Sequence, residues 1–173
     1  MASEIRGSDN FDTGNAGKVL QVVSTVKTDA SSFTSASTNT FVDLAGLTVT
    51  ITPSSTTSKI LVMYTVHVAA AATNHVRLMR GATALGVGDL VGSRLQSSTG
   101  LRTAGTPYTL ECANLTGTFL DSPATTSATT YKLQGTLGAS YNTTFYINRS
   151  QLDSNTNYGL RLASTITVME ISV

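Results

Sequence analysis

Two histidines, His67 and His75, a single cysteine, Cys112, and a scatter of carboxylates are the side chains on which chemistry would have to rest. A zinc site needs three or four N, S or O ligands, and no cysteine or paired carboxylate stands at ligand spacing beside either histidine, so both read as structural. A lone cysteine excludes an internal disulfide framework and reads as a small buried hydrophobe in a strand. For acyl transfer there are many serines but no Gly-x-Ser-x-Gly elbow, and Asp9, Asp12 and Asp29 would meet a histidine and a serine only if the fold brought them together. Asp89, Glu111, Asp121 and Asp153 offer carboxylates for glycoside hydrolysis, where the separation of the pair decides the chemistry and sequence does not give it. Gly86-Val-Gly-Asp-Leu-Val-Gly92 approaches a dinucleotide fingerprint, but its third glycine is one position late and no helix follows to supply amides, so it reads as a glycine loop. The Asn-x-Ser/Thr triplets at Asn114, Asn142 and Asn148 are chance products of a Thr-rich chain. The expectation is a protein with no catalytic residues, no metal and no cofactor.

The composition says what sort of scaffold carries these residues. Charged residues are only 12 % of the 173, while threonine contributes 30 and serine 20; aromatics are 6 % and tryptophan is absent. Threonine is β-branched and suits a pleated, half-exposed surface, and the helix formers lysine and glutamate are scarce, so the class reads as all-β with an aliphatic core. The formal net charge is +1 without a basic run, which argues against nucleic acid as a partner, since phosphate neutralisation needs clustered Lys and Arg. No segment reaches the roughly 18 apolar residues of a membrane span. The opening Met1-Ala-Ser-Glu-Ile-Arg-Gly7 lacks the apolar run of a signal peptide, so synthesis and retention in the cytoplasm until assembly are expected.

Residues 1–17 are polar and aperiodic and read as an arm; 18–173 read as one β-sandwich domain. Val19 to Val26 is roughly alternating and β-branched, and Thr28 to Thr38 reads as a connection. Phe41 to Leu44 precedes a break at Gly46, after which Leu47, Val49 and Ile51 alternate with Thr48 and Thr50. Lys59 to Ala72 is the strongest core candidate, its continuous apolar start fitting a strand covered on both faces and Val62, Tyr64, Val66 and Val68 sharing one side. His75–Arg80 and Ala82–Val87 form a hairpin about Gly81, and 88–106 read as loop. Tyr108–Leu120, interrupted near Gly117, then Thr129–Leu137, Thr143–Asn148 and Leu160–Val173 complete about eight or nine strands, the pattern of an antiparallel sandwich or jelly roll. In the last strand Ile166 and Val168 share a face while Met169, Ile171 and Val173 lie on the other. Either a β-bulge restores one inward face or a partner chain covers the second.

Five phrases occur in order: Gly17-Lys-Val-Leu-Gln-Val-Val23, Leu47-Thr-Val-Thr-Ile-Thr-Pro-Ser-Ser-Thr-Thr-Ser-Lys-Ile-Leu-Val62, Arg77-Leu-Met-Arg-Gly-Ala-Thr83, Leu120-Asp-Ser-Pro-Ala-Thr-Thr-Ser-Ala-Thr-Thr-Tyr131 and Thr165-Ile-Thr-Val-Met-Glu-Ile171. Together they resemble small virion structural proteins of tailed bacteriophages, common in phages of aquatic bacteria and cyanobacteria. The resemblance implies a jelly-roll-like homotrimer on the virion surface, and it carries over no catalytic residue. A fibre subunit normally has a long shaft before its head. A small domain with a 17-residue arm instead fits a capsid decoration or cement protein touching the major capsid protein or other virion proteins. A tail fibre or tail-tip head that meets a host-surface glycan is the runner-up, and a carbohydrate-binding module the third reading. The expected interface residues are Ile5 and Phe11 as anchors of the arm, and Met169, Ile171 and Val173 on the last strand.

Overall fold

Val62, Tyr64, Val66 and Val68 all point into the middle of the molecule, and the strand that carries them is the axle of the fold. The computed structural model describes residues 17–34, 39–70, 73–102, 110–138 and 144–173. Its strands are β1 (Val19–Lys27), β2 (Ser31–Thr34), β3 (Val42–Ile51), β4 (Lys59–Ala69), β5 (Thr73–Arg80), β6 (Thr83–Leu85), β7 (Thr99–Arg102), β8 (Ala113–Asp121), β9 (Thr129–Leu137), β10 (Thr144–Ile147) and β11 (Ser164–Ile171). Every pairing is antiparallel, and the described residues contain no helix.

Two sheets pack face to face. In the first, β8 pairs one edge of β4, and the other edge takes β11 along Lys59–Thr65 and β10 at Val68–Ala69. β1 and β2 then pair with β11 and β10. The sheet has four rows: β8, β4, β11 with β10, and β1 with β2. The second sheet also has four: β3, β9, β5, and β6 with β7. Leu47, Val49, Ile51, Ile60, Leu78, Leu115, Tyr131, Leu133, Phe145, Ile166 and Val168 fill the space between them, each at most 5 % exposed. The all-β sandwich expected from Thr/Val alternation is the fold observed.

Several boundaries differ from expectation. The Thr28–Thr38 connection contains β2, whose Phe33 ring stacks on Phe145 at 5.0 Å between centroids. The 88–106 loop contains β7, paired along Thr73–Val76. β8 runs unbroken through Gly117, paired with β4 without a shift, and glycine stands there because the Tyr64 ring occupies the space a side chain would need. Cys112 precedes β8 and is half-buried rather than a strand core residue. The last strand holds no bulge: β11 pairs with β4 without a shift from Thr165 to Ile171, and the irregularity lies in β1 between Val19 and Gln21. The inward residue after Val168 is Glu170, so the alternation never breaks. β4 is covered on one face by the core, while its outer Leu61 and Met63 are only half-buried, so the described chain does not supply the second cover.

Candidate functional site

The residues with chemical potential are scattered over the molecule. His67 lies on the outer face of the first sheet, where its Nδ1–H donates to the Ala163 carbonyl at 3.0 Å, and His75 lies on the outer face of the second, 3.2 Å from Ser97 Oγ. The two are on opposite sides of the sandwich. Burial holds the His75 imidazole below its ordinary pKa. Burial also pushes the Cys112 thiol up to about 11, away from thiolate chemistry. Gly86 and Gly92 both take left-handed backbone (φ 56° and 60°), and a Cβ at Gly86 would meet the Phe119 ring at 2.9 Å, so the Gly86–Gly92 segment is a loop whose start abuts β8. Asp89 and Glu111 are exposed, and Asp29 pairs with Lys27 at 2.6 Å. Asp9 and Asp12 lie outside the described residues. Among the described residues no three His, Cys, Asp or Glu side chains stand close enough to share a metal.

The remaining carboxylates serve as knots. Asp121, 5 % exposed at the end of β8, accepts two bonds from Arg80 Nη1 at 2.7 and 2.8 Å and one from Tyr131 Oη at 2.6 Å. It thereby ties the first sheet to β5 and β9 of the second. The Tyr131 phenol is raised, first by burial and then by that carboxylate. Asp153 sits between Arg149, at 2.7 Å, and Arg161 in the 149–163 excursion, and hydrogen bonding to Arg161 lowers its pKa. The Asp153-x-Asn155-x-Asn157 spacing has the look of a calcium loop, but two guanidiniums occupy the carboxylate that a cation would need. Asn148 joins the two broken rows. At φ 61° and fully buried, its Nδ2 donates to the carbonyls of Lys27 (2.8 Å) and Asp29 (3.1 Å), while its Oδ1 accepts from Ser164 Oγ (2.5 Å). That burial removes it as a glycan acceptor; Asn114 is exposed on β8 and Asn142 lies outside the described residues.

Glu170 is the knot that sequence reasoning missed. It is 0 % exposed. Its Oε1 accepts from Ser54 N (2.8 Å), Ser54 Oγ (2.6 Å) and Ser58 Oγ (2.7 Å), and its Oε2 from Gln21 Nε2 (2.6 Å). Burial is the largest single influence and by itself raises the carboxyl, but the bonds from Ser54, Gln21 and Ser58 outweigh it and bring it down to about 2.

The surfaces differ more than the interiors. On the outer face of the second sheet a polar chain crosses three strands: Lys132 Nζ meets Asp43 Oδ2 at 2.7 Å, Gln134 donates to Asp43 Oδ1 at 2.6 Å, and Arg77 Nε donates to Gln134 Oε1 at 2.9 Å. The Arg77 guanidinium also lies 3.9 Å over the Phe41 ring. On the first sheet the register aligns Leu120, Leu61, Met169 and Val22 across all four rows. The next rank is Thr118, Met63, Thr167 and Ser24, and the one after it Thr116, Thr65, Thr165 and Val26. None of these side chains is charged. Lys59, with Ile171 and Val19, closes one end. Of the expected interface residues, Met169 and Ile171 lie half-buried on this face and Val173 is exposed just past it; Ile5 and Phe11 lie outside the described residues.

Fold and surfaces together define an antiparallel β-sandwich stapled by buried polar knots, with one charged outer face and one that carries three successive uncharged ranks. No protein-family model matches the chain, and no curated protein matches it.

Proposed function

We propose that this chain is a bacteriophage virion structural protein, a homotrimeric capsid decoration or cement protein that acts by assembly and not by catalysis. The observation that carries the reading is the strand order. Numbering the rows along the chain gives 6-3-8-1 in the first sheet and 2-7-4-5 in the second, and successive rows alternate between sheets except at the β5–β6 hairpin. That order supports a jelly roll, an architecture of viral capsid and lectin domains. A fold alone does not assign a function. The five phrases similar to phage virion proteins, and the uncharged ranks on the outer face of the first sheet, point the same way. In this reading residues 1–17 lie on the shell or a neighbouring subunit, with Ile5 and Phe11 as anchors.

Quantitative mass spectrometry of purified particles tests it. Hundreds of copies per virion are expected of a decoration protein. A handful would move the chain to the tail, where a host-surface glycan becomes the partner to seek, and absence from the particle would overturn the virion reading. Deletion of residues 2–16 is expected to weaken binding to empty shells; undiminished binding would remove the arm as anchor.

A further inference from the structure

We infer that the outer face of the first sheet is a self-association surface, occupied by a second copy of this chain and centred on the Leu120–Leu61–Met169–Val22 rank. The inference deepens the structural reading above by naming the surface and the occupant.

The face is apolar where a solvated sheet would be charged. Antiparallel sheets with one wet side alternate apolar-in and polar-out, and the second sheet of this molecule obeys that rule with its Asp43–Lys132–Gln134–Arg77 chain. The first sheet breaks it along the whole Leu120–Leu61–Met169–Val22 rank and again at Met63 and Val26 in the two hydroxyl ranks beside it. Leu120 is 55 %, Val22 54 % and Val26 58 % exposed, and the half-buried Leu61, Met63, Met169 and Ile171 lie between them. A contiguous apolar patch of this kind marks a contact surface.

Three observations favour a second copy over other occupants. First, the ranks are neutral, so two such faces meet without like-charge repulsion; a basic or acidic partner would find nothing to pair with on them. Second, the polar positions interleaved with the apolar ones are hydroxyls, and a hydroxyl both donates and accepts, so a Thr/Ser rank is complementary to its own copy. Ser24 Oγ and Thr167 Oγ1 already pair this way within the face, at 2.8 Å. Third, the size of the whole face fits. With the Lys59–Ile171–Val19 end included, four rows about 4.8 Å apart, followed along a strand of eight residues at about 3.4 Å each, outline about 500 Å² per copy, or about 1,000 Å² for a pair, the lower bound for a specific interface. Residues 1–16 are a poorer cover: Ile5 and Phe11 are their large apolar side chains beyond Met1, and Glu4, Arg6, Asp9 and Asp12 would sit on neutral ranks.

The experiment is multi-angle light scattering of the full chain at micromolar concentration, wild type against Leu120→Asp and Val22→Asp, with Leu90→Asp as control because Leu90 is 72 % exposed in the β6–β7 connection and belongs to none of the three ranks. Both target positions are more than half exposed in the single chain, so the fold has little stake in them; Thr118→Lys, at an exposed hydroxyl of the same face, reads the surface without removing apolar area. The wild type and Leu90→Asp are expected as an assembly. The face variants are expected at the single-chain mass of 18.0 kDa with unchanged circular dichroism. A wild-type monomer overturns the inference and hands the face to residues 1–16 or to another virion protein. Face variants that remain assembled overturn it as well. A wild-type dimer dissociated by these variants sustains the face and defeats the trimer, whereas absence from virions defeats the virion role and leaves this result standing.

Discussion

Replacing Glu170 by glutamine removes one charge from a fully buried site and almost no volume. The wild-type carboxyl, held at about 2 against an ordinary 4.5, represents about 3 kcal/mol of stability at neutral pH by linkage, at 1.36 kcal/mol per tenfold change. The sign follows from the direction. A depressed carboxyl stabilises the fold at pH values above the unfolded-state pKa, and that stabilisation is lost as pH falls from about 5 toward 2. In Glu170→Gln the remaining carbonyl oxygen can still accept from Ser54 and Ser58, but the new amide meets Gln21 Nε2 donor to donor. Urea denaturation at fixed protein concentration is expected to show the variant about 3 kcal/mol less stable at pH 7 and only about 1 kcal/mol less stable near pH 3, the wild type having lost most of its advantage. Equal midpoints at pH 7, or a difference that does not shrink on acidification, would refute the assignment of the stabilisation to the ionised carboxylate.

Asp121→Ala strips the partner from Arg80 and Tyr131 and is expected to cost about 3–5 kcal/mol by leaving a partly buried cation uncompensated; Tyr131→Phe, which removes one hydrogen bond and leaves the ion pair, is expected to cost only about 1–2 kcal/mol. Thermal unfolding ranks the two, and the reverse order would mean that Arg80 is not held by Asp121. Cys112, raised to about 11, is expected to resist iodoacetamide at pH 8 in the folded protein and to react fully in denaturant; rapid native alkylation would contradict its half-buried position against the Arg149 carbonyl.

How much of this was legible in the sequence depends on the distance over which each feature is specified. The Leu47–Ile51 alternation and the Val62–Val68 face are local statements, and the strands follow them. β2 was not legible, because Ser31-Ser-Phe-Thr34 has one large apolar side chain and becomes a strand only when Phe33 finds Phe145 across the row. Glu170 was illegible for a sharper reason. Hydrophobic parity sends a glutamate outward, so the final strand read as changing phase after Val168. The partners that make an inward carboxylate tolerable, Gln21, Ser54 and Ser58, lie 149, 116 and 112 residues away in the chain.

That misreading leads to the molecule's outer face. With Glu170 satisfied inside, Met169 and Ile171 are left outside by the pleat itself, with no bulge to return them to the core. The two features are therefore linked along one strand: the same alternation that buries a carboxylate in a cradle of hydroxyls and an amide presents an apolar rank to the exterior. A sequence under no demand except to fold would place a hydroxyl or a charge at 169, as the charged outer face of the second sheet does with Lys132 and Arg77. Apolar side chains at Leu120, Leu61, Met169 and Val22, drawn from four segments of the chain and brought into register by three separate pairings, are what a surface looks like when its composition answers to a partner rather than to water.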